Sequence, residues 1–241
     1  MRVVSLVPSA TETLIALGVV PVACTRFCEQ PDIELVGGTK DPDLAAIVAL
    51  HPDLVVVNDE ENRFADASAL IDGGVAVHSM SPRSVEDVGE AVVRLAERVG
   101  VPAPEEFEAD SWHAWLTGML TPRWYEAFVA VWRRPWMSLA ADTYGSSLLD
   151  LLGVGNVFSQ SIDRYPSVTL DEVATLAPNL VVLPSEPYPF AERHLAEVER
   201  EVPGVPTVLV DGRDLFWWGI RTPAAAERLR DALPGLRTPS R

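Results

Sequence analysis

The stretch DLFWWGIRT, residues 214–222, sets Phe216, Trp217 and Trp218 side by side, with Arg221 three residues beyond Trp218. Aromatic rings offer flat apolar walls, and a guanidinium offers a fixed fork of donors for carboxylates, amides or phosphates. Neighbours on an extended loop point to opposite sides, so one tryptophan is expected to face a ligand while the other packs beneath it. The same residue types recur in WRRPWM (132–137), which supplies Arg133, Arg134 and Trp136, and in LPSEPYPF (183–190), which supplies Tyr188. NDEENR (58–63) adds Asn58, Glu60 and Arg63. PSATE (8–12) adds Ser9, which with Thr11 reads as the cap of a helix whose free amides could meet an anion. Such a set suits a large, partly flat ligand with polar arms.

Other chemistry is thinly represented. His51, His78, His113 and His194 show no shared ligand spacing, with His194 falling in a predicted surface helix, so no protein-built metal centre is expected. Cys24 and Cys28 form a C-x-x-x-C pair without the two further ligands of a zinc site, and they read as structural or incidental thiols. GGTK (37–40) lacks phosphate-loop spacing and reads as a turn before a helix. G-x-S-x-G is absent, and no His or Lys accompanies Ser9 or Thr11 at nucleophile spacing, which disfavours a hydrolase. Glu60, Glu61 and Glu186 read as solvated loop carboxylates rather than an acid–base pair.

A chain of 241 residues with 48% hydrophobic and 22% charged content can bury a substantial core. Its formal charge of −16 opposes a phosphate backbone, so nucleic acid is a poor partner. The chain opens MRVVSLVPS, a short apolar run that reads as a strand and not as a secretory leader; the expectation is a cytoplasmic protein, or a periplasmic one if a leader has been trimmed. No segment approaches the roughly 20 apolar residues of a membrane-spanning helix, so no membrane insertion is expected.

The elements that position these residues come from a repeat. DPDLAAIVALHPDLVVVNDE (41–60) aligns without a gap on SVTLDEVATLAPNLVVLPSE (167–186), at an offset of 126. Each copy predicts a short helix, capped by Asp43 or Thr169, followed by a Pro and a strand that is apolar throughout. The Thr169–Glu172 pair predicts a capping box. Wholly apolar strands alternating with helices indicate parallel sheets covered on both faces. The expected fold class is therefore α/β, with two Rossmann-like βα lobes and central, mostly parallel sheets. The predicted N-terminal lobe is 1–101, one rigid backbone helix occupies 102–123, and the C-terminal lobe is 124–241. In such sheets the loops after the strands' carboxyl ends form the binding edge, and the residues above fall on those loops, around an expected ligand cleft between lobes. Trp112 and Trp115, in the connecting helix, are expected to pack as core.

With these residues in view, the chain resembles the class III substrate-binding proteins of ABC importers, the group that includes periplasmic cobalamin-binding and ferric siderophore-binding proteins. RVVSLVPSATETLIALG, VGGTKDPDLAAIVALHPDLVVV and the region from LLGVGNVF to LAPNLVVL carry the resemblance nearly end to end. ENR (61–63), WRRPWM, RYPSV (164–168) and LPSEPYPF resemble the signal-less helical backbone metal receptor subgroup. The resemblance implies a non-enzymatic protein with no built-in cofactor, which holds a corrinoid, a haem or a ferric siderophore as its ligand and is served by an ABC permease. Glu60 and Glu186, matched by the repeat, are candidates for the carboxylates that exported members use in docking. The rival readings are a cytosolic enzyme or cofactor chaperone acting on such a ligand, and a sensory module using the same cleft.

Overall fold

The computed structural model describes residues 1–233, so the end of the predicted C-terminal lobe, 234–241, lies outside the described residues. The chain divides into two compact units. The first comprises 1–82, 87–113 and 218–220; the second comprises 83–86, 114–217 and 221 onward. Residues 102–123 are thus shared between the units.

In the first unit the elements run β1 (Val3–Ser5), α1 (Pro8–Ala16), β2 (Ala23–Cys24), β3 (Glu34–Leu35), α2 (Leu44–Ala49), β4 (Leu54–Val57), α3 (Phe64–Asp72), β5 (Val77–Ser79) and α4 (Asp87–Val99). Its sheet is parallel throughout, in the order β3-β2-β1-β4-β5. Val4 of central β1 lies opposite Ala23 on one side and Val55 on the other. All four residues of LVVV in β4 are buried, as expected of a strand covered on both faces.

α5 (Ala109–Met119) carries the chain from the first unit into the second. The second unit then builds β6 (Tyr125–Val129), β7 (Trp136–Met137), α6 (Tyr144–Leu151), β8 (Val154–Asn156), β9 (Ser167–Val168), α7 (Leu170–Thr175), β10 (Leu180–Pro184), α8 (Leu195–Glu201), β11 (Thr207–Val210), α9 (Gly212–Phe216) and α10 (Thr222–Ala232). Its main sheet, β11-β10-β6-β8, is again parallel. The order matches β5-β4-β1-β2 of the first unit, so the sequence repeat is a repeat of topology. α2 and α7 start at residues 44 and 170, the offset of 126 read from the sequence. Both predicted caps form: Asp43 Oδ1 accepts from Ala46 N at 2.9 Å, and Thr169 and Glu172 make the reciprocal capping box.

Three elements differ from expectation. The backbone helix expected at 102–123 is interrupted: Glu105–Phe107 form a 3-10 turn, Glu108 is extended (ψ 151), and only then does α5 begin. That break turns Phe107 inward to stack on Trp112 at 5.1 Å, and both rings are buried, Trp112 in the core role expected of it. Around Trp136 a loop was expected, but Trp136 pairs with Val168 in a small antiparallel ribbon of β7 with β9. After β11 the chain forms α9, capped by Asp211 Oδ1 accepting from Arg213 N at 2.9 Å, where a loop was expected.

Candidate functional site

In each unit the chemistry-bearing residues lie on segments that follow the carboxyl ends of parallel strands. In the first unit the segment after β4 is a self-supporting knot. Asn58 Oδ1 accepts from Glu60 N and Glu61 N at 2.8 and 3.0 Å, while Asn58 Nδ2 donates to Met80 O. Asn62 Oδ1 accepts from Asn58 N, and its Nδ2 donates to Leu6 O and Thr39 O. Asn58 is buried, with its amide spent on the loop; Glu60 offers its carbonyl to Lys40 Nζ at 2.5 Å. Arg63 is exposed and precedes Phe64, which is 88% exposed at the first position of α3.

Ser9 and Thr11, read as a helix cap, lie inside α1, because Pro8 opens the helix with its φ already preset. Ser9 is buried and its carbonyl accepts from Thr13 Oγ1. After β2 comes a segment that sequence reading missed. Arg26 stands 4.8 Å over the half-exposed ring of Phe27 and pairs with Asp41 at 3.0 Å. A two-residue strand leaves no periodic signal, so its binding-edge loop was not recognised.

The second unit separates the remaining candidates into three groups. Trp136 and Tyr188 pack against its core: Trp136 stacks on Phe190 at 5.7 Å and meets Phe128 edge-on, and Tyr188 lies 4.7 Å from Phe190. His194, expected on a helix surface, is buried in this cluster, its Nδ1 accepting from Ala191 N at 3.0 Å. Burial first, and then Arg193 and Arg133, push its pKa below the ordinary imidazole value. Arg133 is anchored, with Nε and Nη2 both donating to Glu197 Oε2 at 2.9 and 2.6 Å. Arg134 is exposed and held at φ 71, a left-handed conformation uncommon for a side chain of its size. Beside it Trp132, another residue sequence reading passed over, is 42% exposed and meets Tyr188 edge-on at 5.6 Å.

The third group is DLFWWGIRT, of which Trp218, Gly219 and Ile220 belong to the first unit. Trp217 is partly exposed, its Nε1 donates to Glu186 Oε2 at 3.1 Å, and the guanidiniums of Arg213 and Arg221 lie 5.4 and 5.3 Å from its ring. Glu186 also faces Arg213 Nε at 3.5 Å, so this carboxylate is engaged in positioning the indole. Gly212 permits the close approach, since a Cβ there would overlap the backbone nitrogen of Glu186. Phe216, partly exposed, ends α9 against Gly145. Asp214, 4% exposed, holds Arg228 through two 2.7 Å bonds and lies 3.6 Å from Arg221. Trp218 is buried at 4% exposure. The two tryptophans therefore divide as their adjacency required, Trp218 packed and Trp217 presented. Gly219, at φ 108, makes the following turn, where a Cβ would overlap Thr13 Oγ1; Ile220 N donates to that oxygen at 3.3 Å.

A shallow concavity of about 520 Å³, lined by Leu195, Glu199, Val205 and Thr207, opens at the amino-terminal end of β11, away from these loops. Among the described residues no three His, Cys, Asp or Glu side chains cluster to hold a metal ion. Among the described residues no helix is long and apolar enough to cross a membrane.

Each of the two α/β units, alike in topology, carries polar and aromatic side chains at the carboxyl ends of its parallel strands, which places a binding edge there without fixing its chemistry. Residues 3–114 match the family model described as periplasmic binding protein, in keeping with the resemblance to class III substrate-binding proteins. The chain is 25% identical over 203 residues to a vitamin B12-binding protein of Vibrio parahaemolyticus, covering 80% of this chain and 71% of that one. Its fold is similar to the crystal structure of periplasmic vitamin B12 binding protein BtuF of Vibrio cholerae, with a TM-score of 0.77, 20% identity and coverage of 95% and 94%. It is also similar to the periplasmic heme-binding protein BhuT solved with two hemes, with a TM-score of 0.74, 21% identity and coverage of 96% and 98%.

Proposed function

We propose that this chain is a non-enzymatic binding protein whose ligand is a pre-chelated metal, a corrinoid or a haem, and which works with an ABC permease. The observation that carries the reading is Trp217: a flat ring kept partly exposed, fixed at its nitrogen by Glu186 and flanked by two guanidiniums. A macrocycle offers a flat face to such a ring and polar arms to Arg134, Arg213 and Arg221. Relatives named for vitamin B12 and heme support the ligand class. The solved relatives are named as periplasmic proteins, which supports an extracytoplasmic site of action over the cytoplasmic one.

Titration of the purified full chain with hydroxocobalamin, haemin and a ferric hydroxamate, followed by visible absorption, tests the reading. One of these binds one-to-one and is recovered unaltered. If none binds, the ligand class is wrong; if the bound chelate is chemically changed, the enzyme reading replaces it. Compartment fractionation of cells expressing the native gene decides the location.

A further inference from the structure

His194 closes the 3-10 turn Glu192–His194 that leads into α8, and it is buried at 5% exposure. Its backbone N donates to Ala191 O at 2.9 Å, and its Nδ1 accepts from Ala191 N at 3.0 Å, so one residue ties the turn through both backbone and ring. The imidazole also meets Tyr188 and Phe190 edge-on, with centroids 5.5 and 5.4 Å away. Phe190 stacks on Trp136, and Tyr188 meets the half-exposed ring of Trp132 edge-on at 5.6 Å. A single imidazole thus supports an aromatic row from within, and the row's outermost ring, Trp132, reaches solvent. The acceptor bond requires a neutral ring. A proton on Nδ1 would set a donor against the Ala191 N–H and place a charge in a buried site.

We propose that His194 is a proton-operated latch on this aromatic row, closed while the ring is neutral and opened by acid, so that the second unit's edge holds its ligand at neutral pH and releases it on acidification. The proposal rests on the reading of this chain as a chelate-binding protein. The charged groups facing the ring are Arg193 on its own turn, Arg133 from the segment after β6, and Glu197 of α8, whose Oε2 is engaged by Arg133 Nε and Nη2 at 2.9 and 2.6 Å. Burial, then Arg193 and Arg133, favour the neutral ring; the Ala191 backbone and Glu197 act the other way and do not overcome them. The closed latch therefore holds its proton more weakly than the open one, and acid moves the population toward the open form. Trp132 stands two residues before Arg134, one of the guanidiniums assigned to the ligand's polar arms, so losing Tyr188 behind Trp132 loosens that part of the binding edge.

The test has two arms. In the first, the ligand-free full chain is titrated by NMR from about pH 8 to about pH 4.5, following the His194 ring nitrogens, the Ala191 amide and the Trp132 indole. The ring titrates in one step below about pH 6.5, and the Ala191 and Trp132 signals move at the same midpoint. In His194→Asn, whose side-chain oxygen is an acceptor that does not titrate, neither signal makes that step. In the second arm, cyanocobalamin and haemin are each titrated into the parent and the variant at about pH 7.5 and about pH 5. A chelate bound at the higher pH binds the parent at least about fivefold more weakly at the lower, and the variant less than about twofold more weakly. The latch is overturned if the ring stays neutral throughout, if it titrates without Ala191 and Trp132 following, if the parent's affinity is the same at both values, or if the variant loses as much affinity as the parent. If neither chelate binds, the chelate reading falls and the ligand-free arm alone decides the latch. The parent's own ring and amide signals decide that arm even where the variant folds poorly.

Discussion

Asp214→Asn tests whether the buried ion triad behind Trp217 is held together by one carboxylate. The Asp214 side chain is 6% exposed, Arg221 is 16% exposed and Arg228 is 52% exposed. When the carboxylate charge is removed, the half-exposed Arg228 recovers water, and its share is that of a surface pair, about 0–1 kcal/mol. Arg221 cannot recover much water, and taking the partner from a buried charge costs about 3–5 kcal/mol. Asn preserves the volume and one acceptor, which returns about 1 kcal/mol. The net expectation is a loss of about 2–5 kcal/mol, or a fall in melting temperature of about 4–20 °C for a chain of this size. Urea denaturation at neutral pH, followed by tryptophan fluorescence, measures it. Glu90→Gln, which removes one partner of the exposed Glu90–Arg94 pair (side chains 66% and 64% exposed), is the control, with an expected loss below about 1 kcal/mol. The reasoning fails if Glu90→Gln costs as much as Asp214→Asn, because burial would then not be what sets the magnitude.

Trp218→Ala is expected to cost about 3–5 kcal/mol of stability, as for other buried aromatic truncations. Trp217→Ala instead weakens chelate binding by about 1–3 kcal/mol with a smaller effect on melting; paired melts and titrations separate the two, and equal melting losses contradict the division of roles. Gly219→Ala introduces a Cβ at φ 108 against Thr13 Oγ1 and should cost about 1–3 kcal/mol, part of which Thr13→Ala recovers in the double variant. His194 has a folded pKa below its unfolded value of about 6.5, so the unfolded chain binds more protons. Its contribution is fully present above that value and is lost as pH falls through the folded pKa. Stability against urea should therefore decline on acidification below about pH 6.5, and His194→Gln should flatten that part of the profile.

The parts of this fold that were legible in sequence are those whose signal is local. A run such as LVVV or LVVL between a Pro-terminated helix and a polar loop specifies a buried parallel strand, and two copies at one offset specify two units. Thr169 with Glu172, and Asp43 before its helix, announce caps because a cap is completed within three residues. What failed depends on contacts distant in sequence. Nothing near Trp136 foretells its pairing with Val168, 32 residues on by their numbers, or its stacking on Phe190, which leave the ring partly buried against the core. The same holds for Asn58: its polarity suggested a ligand group, but Asn62, Met80 O and the amides of Glu60 and Glu61 consume it.

Adjacency was the most informative sequence feature at the site, because Trp217 and Trp218 cannot share an environment whatever surrounds them. Which of the two would be presented required the third dimension. Glu186 arrives from the segment after β10 to bind the Trp217 nitrogen, and Gly212 has no side chain so that it can come close. Glu186 matches Glu60 across the repeat, and Glu60 shows what the position does without an indole to hold: it folds its own loop through backbone bonds, accepting Lys40 and donating to Asn58. The repeat thus preserved the strand and the cap while the loops after them diverged. The first unit has a rigid polar loop there, and the second has a carboxylate that positions a tryptophan. The difference between the two units is written in loop residues whose roles no repeat can predict.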